Sequence, residues 1–228
     1  MIHKVADDLW IVDGPIVRFL GLNFPTRMTI VHLDDRLWVH SPVPITTEIA
    51  TFISAHGDAA YVVAPNDLHH LYLMEWQSRY PEACYVAAPG LRSKRSDLRF
   101  DDDLLPDSVH PWSEQIGHAH FLGNRHLEEV VFFHQASKTL ILTDLIINVK
   151  IDEFGWLQKL FAKFDGLAYP DGGTPRLFRW SMRSPELAKR CYEQMLDWAP
   201  DKMIISHGEC FLTNATEEVE RRFGWVTS

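Results

Sequence analysis

Ala64-Pro65-Asn66-Asp67-Leu68-His69-His70 follows directly on the apolar run Ala60-Tyr61-Val62-Val63, and the reading of this junction decides the fold. A short β-branched run that halts at Pro-Asn-Asp predicts a buried strand ending in a loop. The loop supplies one carboxylate and two imidazoles within four positions, side chains of the kind that ligate zinc, iron or manganese. Strand ends are also where open α/β folds place their ligands. A second reading stands beside it: Asp67 is the N-cap of a helix, and the two histidines are partly exposed polar residues at its start.

Outward from this junction the pattern alternates. Leu37-Trp38-Val39-His40 is a strand that stops at Ser41-Pro42, because proline cannot continue a central ladder. Thr46 or Thr47 can cap a helix through about residue 56, and Gly57 stops it. A helix is expected near residues 69–80, ended by Pro81, and then a strand at Cys84-Tyr85-Val86-Ala87. Strand, helix, strand, helix, strand over residues 37–87 implies parallel pairing with right-handed crossovers. Upstream, residues 27–32 and 36–41 flank Leu33-Asp34-Asp35 as a β-hairpin. Downstream, residues 129–134 and 139–143 form a second hairpin, residues 203–206 a late strand, and residues 185–198 and 214–223 helices. Phe154, Leu157, Leu160, Phe161 and Phe164 have helical spacing. Core packing is the expected role of this stripe, and a lid or dimer surface is the alternative.

With 228 residues, 46% of them hydrophobic, and no linker or repeat, one domain spanning residues 1–228 is expected. A formal charge of −9 argues against a nucleic-acid groove or an anionic membrane surface as partner, since both attract clustered Lys and Arg. Cys84, Cys191 and Cys210 are widely spaced, which suits neither a disulfide framework nor a thiolate zinc site and fits a reducing compartment. No signal-peptide layout and no membrane-length apolar run is visible, so a soluble cytoplasmic protein is expected. Its expected partner is a small-molecule substrate or ligand, with a homodimer as a further expectation from the apolar stripe.

Three strand ends carry metal-capable residues: Asp67 with His69 and His70; Thr143-Asp144 after Leu140-Ile141-Leu142; and Ser206-His207-Gly208 after Met203-Ile204-Ile205. Taken singly, Asp144 reads as a turn former or cap and His207 as a hydrogen-bonded loop histidine. Together they favour a metal. Arg176, Arg179 and Arg183 lie beside Gly172-Gly173. They either grip a carboxylate or phosphate of a substrate or are exposed arginines in salt bridges.

With its opening hairpin, the His70 strand-loop-helix, the Leu142-Thr143-Asp144 strand end and the late His207-Gly208, the chain resembles the metallo-β-lactamase-like superfamily over roughly residues 10 to 210. Within it, His40-Ser41-Pro42, Ala64-Pro65-Asn66, Glu75-Trp76 and Trp198 resemble an uncharacterised branch, a domain-of-unknown-function group. The resemblance implies an α/β fold, a four-layer αββα sandwich with one or two metals along one sheet edge. It also implies a degenerate motif. His-x-His-x-Asp-His becomes Pro65-Asn66-Asp67-Leu68-His69-His70, and the mid-chain histidine becomes Asn124, with His126 nearby. One metal position then keeps only Asp67 and His126 and is expected to be empty. The other has His69, His70 and His207 with Asp144 adjacent, enough for one zinc, iron or manganese ion. His40 stands where a ligand-orienting aspartate is usual, and Asp67 is the candidate general base. The implied activity is hydrolysis of an ester, thioester, amide or phosphoester. The alternative is a metal-free, inactive member that binds a small molecule or a protein.

Overall fold

The strand announced by Ala60-Tyr61-Val62-Val63 runs from Asp58 to Ala64 and ends at Pro65, with Val62, Val63 and Ala64 fully buried. The structure is a computed structural model that describes residues 1–19 and 21–227. It divides into two compact units, residues 1–15 with 27–115 and residues 16–26 with 116–228.

The first unit is built on a seven-stranded sheet. Its order is Ile2–Ala6, Leu9–Asp13, Arg27–Leu33, Arg36–His40, Asp58–Ala64, Cys84–Ala87 and Asp102–Asp103. The first four strands pair antiparallel, and pairing turns parallel from Arg36–His40 onward. The switch has a local cause. Asp34 accepts a left-handed turn conformation, φ 56°, which closes a tight hairpin, whereas Pro42 forces the chain out of the sheet after His40. The helix Thr47–His56 returns the chain. The Thr46 hydroxyl accepts the Ile49 N–H at its start, and Gly57, at φ 130° against the Asp35 carbonyl, ends it. Ile49, Ile53, Leu73 and Trp76 cover the core made by Met28, Ile30, Leu37, Val39 and Val62. The buried Trp76 indole is satisfied by the Val43 carbonyl at 2.7 Å.

One boundary differs from expectation. The second helix runs only from Leu73 to Arg79, and residues 66–72 form turns. The side chain that organises them is Asn66, whose Oδ1 accepts the N–H groups of Leu68 (2.9 Å) and His69 (3.0 Å). Asp67 is therefore not the capping residue. The Asx-type turn of Asn66 replaces the first helical turn and fixes where His69 and His70 leave the strand.

The second unit holds a four-stranded sheet, Ile116–Phe121, Glu129–His134, Thr139–Ile141 and Lys202–Ile204, whose last pair is parallel. Ile147–Asn148 pairs with His207–Gly208, and Val17–Phe19 with Leu22–Phe24. Its helices are Trp156–Asp165, Arg176–Trp180, Pro185–Asp197 and Ala215–Phe223.

The expected core role of the 154–164 stripe is overturned. Phe154 packs inward beside Leu22, Phe24, Ile147 and Val149, but Trp156, Leu157, Leu160 and Phe164 are 75%, 61%, 62% and 53% exposed. The reason lies in the polar residue that the helix buries. Asp165, 3% exposed, accepts the Leu177 N–H at 2.9 Å and anchors the next helix. With Asp165 and Ala162 turned inward, the face that carries Trp156, Leu160 and Phe164 points outward. Among the described residues no helix is long and apolar enough to cross a membrane.

Candidate metal centre

In the first unit, the strand Arg36–His40 delivers His40 and Ser41. His40 is buried, stacked on Trp38 at 5.4 Å between ring centroids. Burial, with the neighbouring His69, holds its imidazole well below the ordinary value, so it stays neutral. Ser41 sits at φ 54°, and from there its hydroxyl meets His69 Nδ1 at 2.5 Å. With Nδ1 engaged, Nε2 is the nitrogen through which His69 could ligate.

His70 behaves differently. Its Nδ1 accepts a 2.7 Å hydrogen bond from Arg95, whose guanidinium also forks onto Asp97 at 2.8 and 2.7 Å. Burial first, then the charges of Arg95 and Lys94, lower the His70 imidazole from its ordinary value. The Arg95 hydrogen bond pulls the Asp97 carboxyl down to about 2. Asp67, the candidate base, lies 3.2 Å from Lys94 Nζ, and the same ammonium bonds the Asp67 carbonyl at 2.6 Å. These residues form an interleaved ionic surface beside the His69 turn.

In the second unit, Asp144 and His207 meet, with His207 Nε2 3.1 Å from Asp144 Oδ1 and both side chains at most 10% exposed. His207 Nδ1 lies 2.7 Å from the Pro25 carbonyl, which can only accept, so Nδ1 carries the proton. Nε2 then faces a carboxylate and needs either a second proton or a cation between the two. Burial opposes charging the ring. The hydrogen bond and charge of Asp144, with the Pro25 carbonyl and Glu129, outweigh it and raise the His207 imidazole. Gly208 follows at φ 107°, where a Cβ would fall onto the Asn148 carbonyl, so only glycine lets the His207 strand lie this close.

The residue that sequence reasoning missed is Glu129. It is 1% exposed, and its two carboxylate oxygens accept the N–H groups of Thr143 and Asp144, each at 2.7 Å. This clamp sets the direction in which Asp144 leaves the strand Thr139–Ile141. The available signal was the second acid of Glu128-Glu129, heading the apolar run Val130-Val131-Phe132-Phe133.

The remaining candidates have structural employment. Asn124 is buried. Its Nδ2 donates to the Phe178 carbonyl at 2.6 Å, and its Oδ1 accepts from His126 N, Leu127 N and Ser181 Oγ. His126 is exposed. Arg179 donates to the Thr174 carbonyl at 2.9 Å and lies over the Trp225 ring, 5.6 Å from its centre.

The buried His40 gives a pH prediction. Its folded-state value is depressed, so its contribution is complete above the ordinary imidazole value of 6.5 and is lost as pH falls toward the folded value. Urea titrations of EDTA-treated protein at stepwise pH below 6.5 should show stability falling by up to about 1.4 kcal/mol per pH unit. His40→Gln should flatten this dependence. An unchanged slope in the variant would assign the loss to other groups.

Comparisons with known proteins agree with this architecture. The family described as "Domain of unknown function (DUF4336)" matches residues 6–160. A search of curated proteins finds no match. Among solved structures, the DIM-1 metallo-β-lactamase exposed to ceftazidime superposes with a TM-score of 0.68 at 13% identity, covering 100% of this chain and 97% of that one. A metallo-β-lactamase from Pontibacter korlensis gives 0.66 at 16% identity, with 100% and 99% covered. The mono-zinc form of FIM-1 from Pseudomonas aeruginosa gives 0.66 at 13%, with 100% and 94% covered. At these identities the likeness is one of fold: α/β, of metallo-β-lactamase type.

Proposed function

We propose, from the premise that this chain belongs to the family described as Domain of unknown function (DUF4336) and has a metallo-β-lactamase-type fold, that it is a metal-dependent hydrolase-like protein with a single-metal site. The donors in this reading are Asp144 and His207, which meet within the second unit, with His69 of the first as the further imidazole, residue types of the kind that hold a divalent cation. One observation carries the reading. His207 is locked by the Pro25 carbonyl into the tautomer that turns its basic nitrogen toward Asp144. Such outer hydrogen bonds are how ligating histidines are oriented. The Ser41 hydroxyl holds the orientation of the His69 ring through Nδ1.

When bound, a divalent cation supplies Lewis-acid polarisation of a scissile carbonyl or phosphoryl group. The chain's own residues do the rest. Glu129 fixes Asp144, Pro25 and Ser41 hold the two imidazoles, and the proton acceptor in this reading is Asp67, whose carboxylate is paired with Lys94. The substrate would be an ester, thioester, amide or phosphoester. His70 contributes through its bond to Arg95.

A metal-free binding protein is the second reading. The observation favouring it is the His207–Asp144 contact of 3.1 Å, which a proton alone can hold as an ion pair. Metal analysis of the purified protein, before and after incubation with zinc, manganese or ferrous iron, separates the two. About one equivalent of one metal is expected, and under about a tenth of an equivalent of each would leave the metal-free reading. A screen of p-nitrophenyl esters, thioesters and phosphoesters with the loaded protein then sorts the substrate classes.

A further inference from the structure

The helix Trp156–Asp165 is amphipathic in the reverse sense. Its small and acidic residues, Ala162 and Asp165, face the core, and its large apolar residues face water. Arg176–Trp180 packs beside it. Phe164 and Trp180 meet edge to face at 6.0 Å, and Arg176 lies over the Phe164 ring while donating to the Phe164 carbonyl. The two helices therefore present one continuous surface made of Trp156, Leu157, Leu160, Phe164, Leu177 and Trp180, each between 42% and 75% exposed. Two exposed tryptophans, an exposed phenylalanine and three leucines in one patch are far from the scattered apolar residues of an ordinary surface.

From the exposures of these six residues, the patch offers on the order of 750 Å², close to the roughly 800 Å² per partner of a standard-size protein interface. Charge is graded along the helix. Asp152 and Glu153 precede its N-terminus, and Lys163 lies in its last turn, all outside the core. Two such helices crossing antiparallel, with a two-fold axis near Leu157 and Leu160, bring Lys163 of each copy toward Glu153 of the other. The helix dipoles then oppose as well. The pattern is thus complementary to itself.

We propose that this face is an isologous interface and that its occupant is a second copy of the same chain. It lies wholly within the second unit and does not depend on the metal reading. The apolar patch supplies the buried centre, with Trp156 and Trp180 as anchors, and the Glu153–Lys163 pairs supply register and orientation.

Sedimentation velocity of the full chain over micromolar concentrations is expected to give a species of twice the 26.3 kDa chain mass. Leu160→Glu should raise the dimer dissociation constant by at least about 100-fold while leaving the far-ultraviolet circular dichroism unchanged, since Leu160 is 62% exposed. Lys163→Glu should weaken the dimer by about tenfold, and adding Glu153→Lys should restore it to within about threefold of wild type. A monomeric wild type, or a dimer indifferent to Leu160→Glu, overturns the proposal. So does a wild type that stays monomeric and co-floats with phosphatidylserine–phosphatidylcholine vesicles, which would assign the face to a lipid surface instead.

Discussion

Alanine at Asp144 or His207 is expected to reduce bound zinc from about one equivalent to below a tenth, a loss of affinity of at least about 100-fold. The two side chains lie 3.1 Å apart with almost no solvent between them and the bulk. In Asp144→Ala, the His207 imidazole keeps its Pro25 bond and its tautomer, so the fold should hold while the site loses its proposed carboxylate donor. In His207→Ala, the buried Asp144 carboxylate is left without its cationic or metallic neighbour. That should cost about 3 kcal/mol of stability in the metal-free protein as well as the metal. Metal analysis, together with urea unfolding in EDTA, reads both effects. Retention of zinc in both variants would remove these residues from the donor set. His70→Ala supplies the contrast: the charges of Arg95 and Lys94 beside its ring oppose a cation there, and its removal should leave metal content nearly unchanged.

Glu129→Ala is expected to be the most destabilising single change considered, by about 3–5 kcal/mol. The carboxylate is almost fully buried, and it accepts two backbone N–H groups at 2.7 Å that have no route to water once it is gone. Charge-assisted bonds to an ionised acceptor are the strong kind, and here two act on consecutive residues. Glu129→Gln keeps the shape but offers one oxygen where two are needed, and it turns an amide N–H toward a backbone N–H. A loss of about 2 kcal/mol follows, with a further loss of zinc affinity because Asp144 is no longer aimed. The order alanine, then glutamine, then wild type in urea midpoints is the check. Equal midpoints in all three would show that the loop at residues 143–144 finds its conformation without the clamp.

The fold was legible where local patterns are strict. The β-branched run before Pro65, the hairpin around Asp34-Asp35 and the strand–helix alternation over residues 37–87 each specify their element, and the parallel pairing follows from the crossovers. Asp144 and His207 drew notice because each stands one residue beyond a short apolar run, and the structure brings the two side chains together. The groups that orient them were not. The Pro25 carbonyl lies 182 residues from His207, and a backbone oxygen has no signature in a sequence. Glu129 acts across a hairpin on N–H groups 14 and 15 positions away, a relation set by strand register and not by spacing. Asn66 was outweighed by Asp67, since both are good caps and only the turn geometry chooses between them. Phe154, Leu157, Leu160, Phe161 and Phe164 show the limit of periodicity. Helical spacing establishes that the apolar residues share a side, but the buried carboxylate of Asp165 decided which side faces the core.

The seven-stranded sheet ends at Asp102–Asp103, a strand of two residues that are both acidic. Asp103 is forked by Arg92, and Asp102 is 2.9 Å from His110 Nδ1. A neighbouring polypeptide that tried to extend the ladder there would find almost no open backbone to bond and would have to displace these ionic pairs first. The border thus works as a stop against runaway strand addition. Molecules crowded together during synthesis or heating are steered away from fibril-like stacking on that margin.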